Sequence, residues 1–258
     1  MSSILFEIEN SVAVITLNRP EKFNSINKEM ALLLQKTLDD CEADNNIRAI
    51  YLTGNGKAFC AGQDLGELIG DNPPGFDVIL AEHYNPIITK IRTIAKPVVC
   101  AVNGVAAGAG ANIALCCDVV ITSSSASFIQ AFSKIGLIPD SGGTFILPRL
   151  IGFQKASALM MLGDKITAVE AERIGMSYKI FTDEVFKEES MKIAILLSQM
   201  PTKSLGYTKI ALNASLNNSL DEQLQKEDEL QFKAAHTSDY KEGVAAFIEK
   251  RLPVFKGE

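Results

Sequence analysis

The chain has no tryptophan, only two histidines, and no C-x-x-C pair among its five cysteines. A histidine-built metal site or a Ser-His-Asp triad would have to draw on His83 and His236, and ordinary structural histidines are the more economical reading of both. Cys41, Cys60, Cys100, Cys116 and Cys117 are odd in number and irregularly spaced, which argues against a disulfide framework and a zinc site; no metal is expected. No G-x-x-x-x-G-K-[ST] run is present, so there is no P-loop. Gly108-Ala109-Gly110 opens like a dinucleotide fingerprint, but position 113 is Ile113 and the fingerprint fails. The opening MSSILFEIENS lacks a basic stretch and a long apolar run, so no secretory signal is expected and a reducing cytoplasm is the default location. Positive charge is also in deficit. The 25 Lys and Arg against 31 Asp and Glu leave a net charge of −6, which disfavours nucleic acid and anionic membranes as partners. An anionic ligand held by a few local cations remains compatible with that total.

What is present is the balance of a globular protein, with 47% apolar and 22% charged residues over 258 positions. That length accommodates one large domain, or one domain with a smaller appendage. From Pro97 to Cys117 no side chain is charged, about the length of a membrane span, and Gly104 and Gly108 stand at a membrane-helix packing interval. Yet Pro97, Asn103, Asn112 and three glycines interrupt the run, and Lys96 and Asp118 close it tightly. A buried strand, a turn and a buried helix are expected instead.

Residues 4–8 and 12–17 are β-branched and apolar around Glu9-Asn10-Ser11, the pattern of a hairpin. The spacing of Leu33, Leu34, Thr37, Leu38 and Cys41 predicts a helix over 30–41. Strands are predicted at 47–52, 97–102, 119–122 and 126–129, and helices at 79–94 and 110–117. Strands alternating with helices indicate an α/β fold. After about residue 150 helices dominate, over 183–200, 202–214, 220–235 and 240–251. Thr167 to Glu170 and Ser219 to Glu222 fit capping boxes. A soft boundary is placed near Pro201, dividing a catalytic core of 1–200 from a helical region of 201–258. The polar loop containing Asn72-Pro73-Pro74-Gly75 suits a mobile rim segment.

Three small-residue segments could carry chemistry: Phe59 to Leu65, Asn103 to Asn112, and Gly136 to Thr144. Strings of Gly and Ala let a backbone approach a ligand closely, and at a helix start they present free N–H groups. Two such groups from separate loops can hold a developing oxyanion. Taken singly, each segment is explained as well by tight helix–strand packing.

Taken together they are specific. Asn18-Arg19-Pro20, the Phe59 to Leu65 run, Ala101-Val102-Asn103-Gly104, Gly136-Leu137-Ile138-Pro139 with Gly142-Gly143, and Phe247-Ile248-Glu249-Lys250-Arg251 follow one another in family order. Over essentially its whole length the chain resembles the enoyl-CoA hydratase/isomerase (crotonase) superfamily. The Ala106 to Ala111, Ala131 to Lys134 and Pro139 to Thr144 details look most like the branch of ring-opening 1,2-epoxyphenylacetyl-CoA isomerases. The resemblance implies a crotonase-like ββα spiral with a helical C-terminal assembly region, forming trimers or hexamers, and an acyl-CoA thioester substrate with no separate cofactor, CoA being part of the substrate.

It also implies roles. The backbone N–H groups of Gln63 and Ala109 would form the oxyanion hole, Ala109 standing where many relatives have Gly. The two glutamates with which hydratases of the family activate water are replaced by Asn112 and Phe132. Neither is a general base, and Phe132 would exclude water, so ordinary hydration is disfavoured. Asp140 stands where isomerases of the family place an acidic base; capping a helix that starts near Ser141 is its alternative role. Lys22, Ala61, Asp64, Leu65, Phe247 and Lys250 would contact CoA. Asn112, Phe132 and Tyr84 would line the acyl pocket, and the loop from Gly66 to Tyr84 would shape it. The expected reaction is an isomerisation of an epoxidised or unsaturated acyl-CoA. The alternatives are a general Δ3-Δ2-enoyl-CoA isomerase or hydratase-like enzyme, and a non-catalytic CoA- or RNA-binding scaffold on the same fold.

Overall fold

The computed structural model describes residues 2–69 and 73–258. The chain opens with a hairpin, β1 (Ile4–Glu9) and β2 (Val12–Leu17). Its two-residue turn, Asn10-Ser11, has positive φ at both positions, the geometry whose twist matches the strands it joins. Helix α1 (Lys28–Ala43) follows, capped by the Asn27 side chain accepting from the Met30 amide.

Strands then alternate between two sheets. β3 (Ala49–Gly54), β5 (Val98–Val102), β7 (Val119–Ser123) and β10 (Lys179–Phe181) extend the first sheet in the order β1-β2-β3-β5-β7-β10. β4 (Ala58–Cys60), β6 (Val105–Ala107), β8 (Ser127–Ile129) and β9 (Lys165–Thr167) form the second, in the order β4-β6-β8-β9. Each turn of the chain thus lays one strand in each sheet, which is a spiral. Only the outer pairs β1–β2 and β8–β9 are antiparallel.

The first sheet is buried on both faces, so its central strands read as continuous apolar runs. Ile50, Leu52, Val98, Cys100 and Val102 point into the main core with Ile15, Leu17 and α1. Ala49, Tyr51, Val99 and Ala101 point the other way, toward Phe186 and Ala194 of α8 (Asp183–Gln199). The uncharged stretch after Pro97 supplies β5, β6 and the short buried helix α4 (Ala109–Leu115); among the described residues no helix is long and apolar enough to cross a membrane. Its bounding charges serve the interior. The Lys96 ammonium donates to the carbonyls of Cys41, Glu42 and Asp44 at the end of α1. Asp118 accepts from the Val98 amide and from Lys209.

The helix read over 79–94 is present as one helical run from 76 to 93, in which a π-helical stretch (Ile79–Tyr84) separates a short first turn, α2 (Phe76–Val78), from α3 (Asn85–Thr93). Pro86 is the reason. It has no N–H to return to the carbonyl four residues back, and that carbonyl, of Glu82, accepts instead from the Gln35 side chain of α1 at 2.7 Å. Part of the loop before it, Gly70 to Asn72, lies outside the described residues.

Helices α5 (Gly143–Ile151), α6 (Phe153–Leu162) and α7 (Ala168–Arg173) precede β10, and α9 (Thr202–Ser215), α10 (Leu220–Ala235) and α11 (Ser238–Glu249) close the chain. Ser219 and Glu222 form the expected capping box. Thr167 caps α7, but Glu170 turns to Arg173 instead of back to the cap. The apolar clusters of the two sheets include no residue beyond Leu197. The last helices are attached by polar contacts: Lys209 with Asp118, and Arg48 with Thr202 and with the carbonyls of Met200 and Phe255.

Candidate active site

Three loops meet at the start of α4. The first runs from Cys60 to Leu65 and is clasped by the loop that follows β2. Ala61 donates to the Phe23 carbonyl, Ile26 to the Gly62 carbonyl and Asp64 to the Ile26 carbonyl. Arg19 adds an ion pair to Asp64 at 2.8 Å. Burial works against ionisation of Asp64, but hydrogen bonds from Arg19 and Gly66, with the charges of Arg19 and Lys22, outweigh it and hold the carboxyl below its ordinary range. Lys22, Ala61, Asp64 and Leu65 are therefore neighbours, Lys22 and Leu65 with exposed side chains.

The second loop is the turn Ala107-Gly108 leading into Ala109, the first residue of α4. Glycine is required twice here. Gly62 has φ +89°, and a side-chain carbon added to it would lie 3.0 Å from the Ala107 oxygen and 3.3 Å from the Ala109 nitrogen. One added at Gly110 would lie 2.3 Å from the Cys60 oxygen. The two backbones thus run in direct contact, which brings the Gln63 and Ala109 amides together. Ala109 is not among the positive-φ residues, so its replacement of a glycine costs no backbone strain. Neither amide donates to a protein acceptor among the described residues. The ring of Phe132, buried, lies against Gly108, its Cζ 3.8 Å from where a side-chain carbon would begin.

The third loop carries Asp140. Its backbone carbonyl accepts from the Asn112 side chain at 2.8 Å and from the Gly143 amide at 2.9 Å. Asn112 is fully buried, and its other amide atom accepts from Gln130 at 2.8 Å. Helix α4 therefore bears at its start the Ala109 amide and, one turn on, the side chain that fixes the Asp140 loop. The Asp140 carboxylate itself is half-buried and accepts from the Ser141 hydroxyl at 2.9 Å. Burial raises its pKa, and the Ser141 bond only partly offsets that. It caps no helix: the residue before α5 is Gly142, and no side chain bonds to that helix start. Ser141 holds φ +51°, a conformation that side-chain-bearing residues adopt at a cost and that clusters at functional sites.

Cys60, beside these amides, is buried and its thiol is pushed up to about 12 by burial, which denies it a nucleophilic thiolate. Tyr84, 1% exposed, ends the π turn on the side of the same loops. Phe247 and Lys250 are elsewhere within one chain. They sit on α11 and at its end, with Phe247 86% exposed. Phe247 borders a groove of about 1010 Å³ between α9, α10 and α11, which none of Gln63, Ala109 and Asp140 lines.

Residues 7–258 match the family model "Enoyl-CoA hydratase/isomerase". The chain belongs to the enoyl-CoA hydratase/isomerase family. Within it, the chain is 44% identical over all of both sequences to the 1,2-epoxyphenylacetyl-CoA isomerase of Escherichia coli K12. It is 36% identical to the trans-2-decenoyl-[acyl-carrier-protein] isomerase of Streptococcus mutans, over 99% of this chain and 98% of that one. Among solved structures, the enoyl-CoA hydratase of Bacillus anthracis superposes with a TM-score of 0.92 at 34% identity, over 99% of this chain and 100% of that one. The protein is thus an enzyme of this family, and its two-sheet spiral with C-terminal helices is the crotonase fold.

Not every contributor was visible in the sequence. The bonds of Ser141 and Gln130, to a neighbouring carboxylate and to a helix packed from elsewhere, have no spacing signature. The Arg19–Asp64 pair spans 45 residues. Arg19 lay within a quoted motif, but nothing local names its partner.

Proposed function

We propose that the protein is an acyl-CoA isomerase, acting by ring-opening isomerisation of 1,2-epoxyphenylacetyl-CoA to the oxepin-CoA, by shifting a double bond between the β,γ and α,β positions of an enoyl-CoA, or by both. The observation that carries the reading is the Asp140 carboxylate: half-buried, raised in pKa, and fixed through Asn112 to the helix that begins with Ala109. The residues at 112 and 132 offer no second carboxylate. A single base is what a proton shuttle requires, whereas hydration needs a positioned and activated water.

In this reading the thioester oxygen accepts from the Gln63 and Ala109 amides. That makes the α-carbon acidic and stabilises a dienolate, each donor contributing about 3–4 kcal/mol to the barrier. Asp140 removes a proton from one carbon and returns it two carbons away. A raised pKa brings the base nearer to the operating pH. Phe132 keeps water from the intermediate. No metal or redox cofactor takes part, CoA entering as part of the substrate. Lys22, with Ala61, Asp64 and Leu65, would receive the CoA nucleotide. Phe247 and Lys250 would reach it from a neighbouring subunit of a trimer or hexamer, which suits the exposure of Phe247, Ile248, Leu252 and Val254. Free thiols at all five cysteines suit a cytoplasmic location.

The double-bond shift is also favoured by the Streptococcus mutans relative, whose name is that of an isomerase. Parallel turnover of 1,2-epoxyphenylacetyl-CoA and 3-hexenoyl-CoA tests the proposal. Isomerisation of either supports it, and their ratio assigns the acyl group. Hydration of 2-enoyl-CoA as the dominant activity would overturn it.

A further inference from the structure

Tyr84 is a buried phenol with nothing to bind. Its hydroxyl has no hydrogen-bond partner among the described residues, although buried tyrosines ordinarily find one. The ring cannot easily turn away. It is packed in the main core and carried at the end of the π turn, whose freed carbonyls at Glu82 and His83 are held by Gln35. Single π turns inside helices are concentrated at functional sites.

The helical face that carries Tyr84 runs against the Asp140 loop. The carboxylates of Asp140, Glu67 and Asp64 are near enough for their charges to act on the hydroxyl. Ile88, one turn further along the same helical face, approaches the Asp140 loop directly: a side-chain carbon added at Gly142 would lie 3.5 Å from its Cγ2. Burial, first, and these neighbouring charges push the phenol well above its ordinary pKa, so it remains a protonated donor. Gln63 bears a second buried unpartnered atom, Oε1, on the opposite loop.

A buried donor with no acceptor among the described residues is matched by an acceptor on the ligand. The thioester oxygen already has two amides. We propose that the Tyr84 hydroxyl donates a hydrogen bond to an oxygen atom carried by the acyl group itself, and so selects oxygenated acyl groups. This rests on the acyl-CoA isomerase reading and names its specificity. With an arene epoxide the bond is to the ring oxygen. As the three-membered ring expands, the carbon–carbon bond bridged by oxygen opens and both carbon–oxygen bonds persist. No atom is gained or lost, and Tyr84 keeps its proton throughout.

The test compares native enzyme with Tyr84→Phe, which removes the hydroxyl and keeps the ring. Calorimetric titration with 2-hydroxyphenylacetyl-CoA and with phenylacetyl-CoA measures the preference for the oxygen. Native enzyme should prefer the hydroxylated ester by about tenfold, the size of one buried hydrogen bond, and Tyr84→Phe should abolish that preference. The same variant should lose more rate with 1,2-epoxyphenylacetyl-CoA than with 3-hexenoyl-CoA. No preference in the native enzyme, an equal preference in both proteins, or equal losses on both substrates would overturn the proposal; the last would make Tyr84 a support for Asp140. If native enzyme prefers the hydroxylated ester yet isomerises neither substrate, the reaction assignment falls while the Tyr84 contact stands.

Discussion

The two halves of the proposed site are built from different materials. The donor half, Gly62-Gln63 and Gly108-Ala109, uses only backbone amides, and its geometry depends on glycines at Gly62 and Gly110 that allow two chains to touch. The base half uses side chains: the Asp140 carboxylate, the Ser141 hydroxyl and the Asn112 amide. Backbone donors are indifferent to most substitutions and fail when an atom is inserted. Side-chain groups tolerate added volume nearby and fail when an atom is exchanged. The halves should therefore break in different ways, the first through structure and the second through chemistry.

The largest effect is expected from Asp140→Asn. Exchange of one oxygen should lower isomerisation by about 10²–10⁴-fold or more, with folding and CoA-ester binding retained. Steady-state turnover and solvent-deuterium incorporation at the α and γ carbons check this, and near-native turnover with incorporation intact would remove Asp140 from the mechanism. Gly110→Ala attacks the other half. A carbon placed 2.3 Å from the Cys60 oxygen forces backbone against backbone, and stability should fall by about 1–3 kcal/mol in urea unfolding, with activity lost alongside it. If Gly110→Ala is as stable as native, the two backbones are not in contact.

Asn112→Ala joins the halves. It leaves the Asp140 carbonyl with the Gly143 amide alone and orphans the Gln130 amide nitrogen, and should cost about 1–3 kcal/mol of stability together with part of the turnover. Ser141→Ala is subtler. Its hydroxyl is what restrains the raised pKa of Asp140, so the acid limb of the pH–rate profile should move to higher pH, while the high-pH plateau changes little. The smallest effect carries a sign. Because burial raises the folded-state pKa of Asp140 above its unfolded value, the folded state holds that proton more tightly. Stability is then lost as pH rises from the ordinary carboxylate range toward the folded-state value. Asp140→Asn should abolish that loss and be slightly more stable than native near neutral pH. A helix-capping aspartate would give the opposite sign.

The contrast also explains what could be read in advance. Strands such as 12–17 and 98–102 declare themselves because five or six β-branched and apolar residues repeat a pattern. β4, β6, β9 and β10 have three residues each, too few for a period of two to emerge, so of the second sheet only β8 was legible, as the strand at 126–129. Helix α10 was legible to the residue from its capping box, whereas the 79–94 helix hid a proline whose consequence depends on Gln35 of another helix. The donor half was legible through its small-residue strings once the family order was seen. Asp140 was legible as a residue but not as an environment. Its burial, its Ser141 bond and its freedom from capping arise only when three separated loops converge.

Arg48 has a consequence for how the molecule is made. It stands just before β3 and binds the carbonyl of Phe255, 207 residues away. A chain emerging from the ribosome completes the first four strands long before that carbonyl exists. Until then the guanidinium lacks that acceptor, even after β10 has completed its sheet. Its Phe255 acceptor arrives long after β3, so closure of this corner is a late, long-range event of the slow kind that loop entropy imposes. A stalled or shortened product would carry a complete-looking active site on an unlatched scaffold.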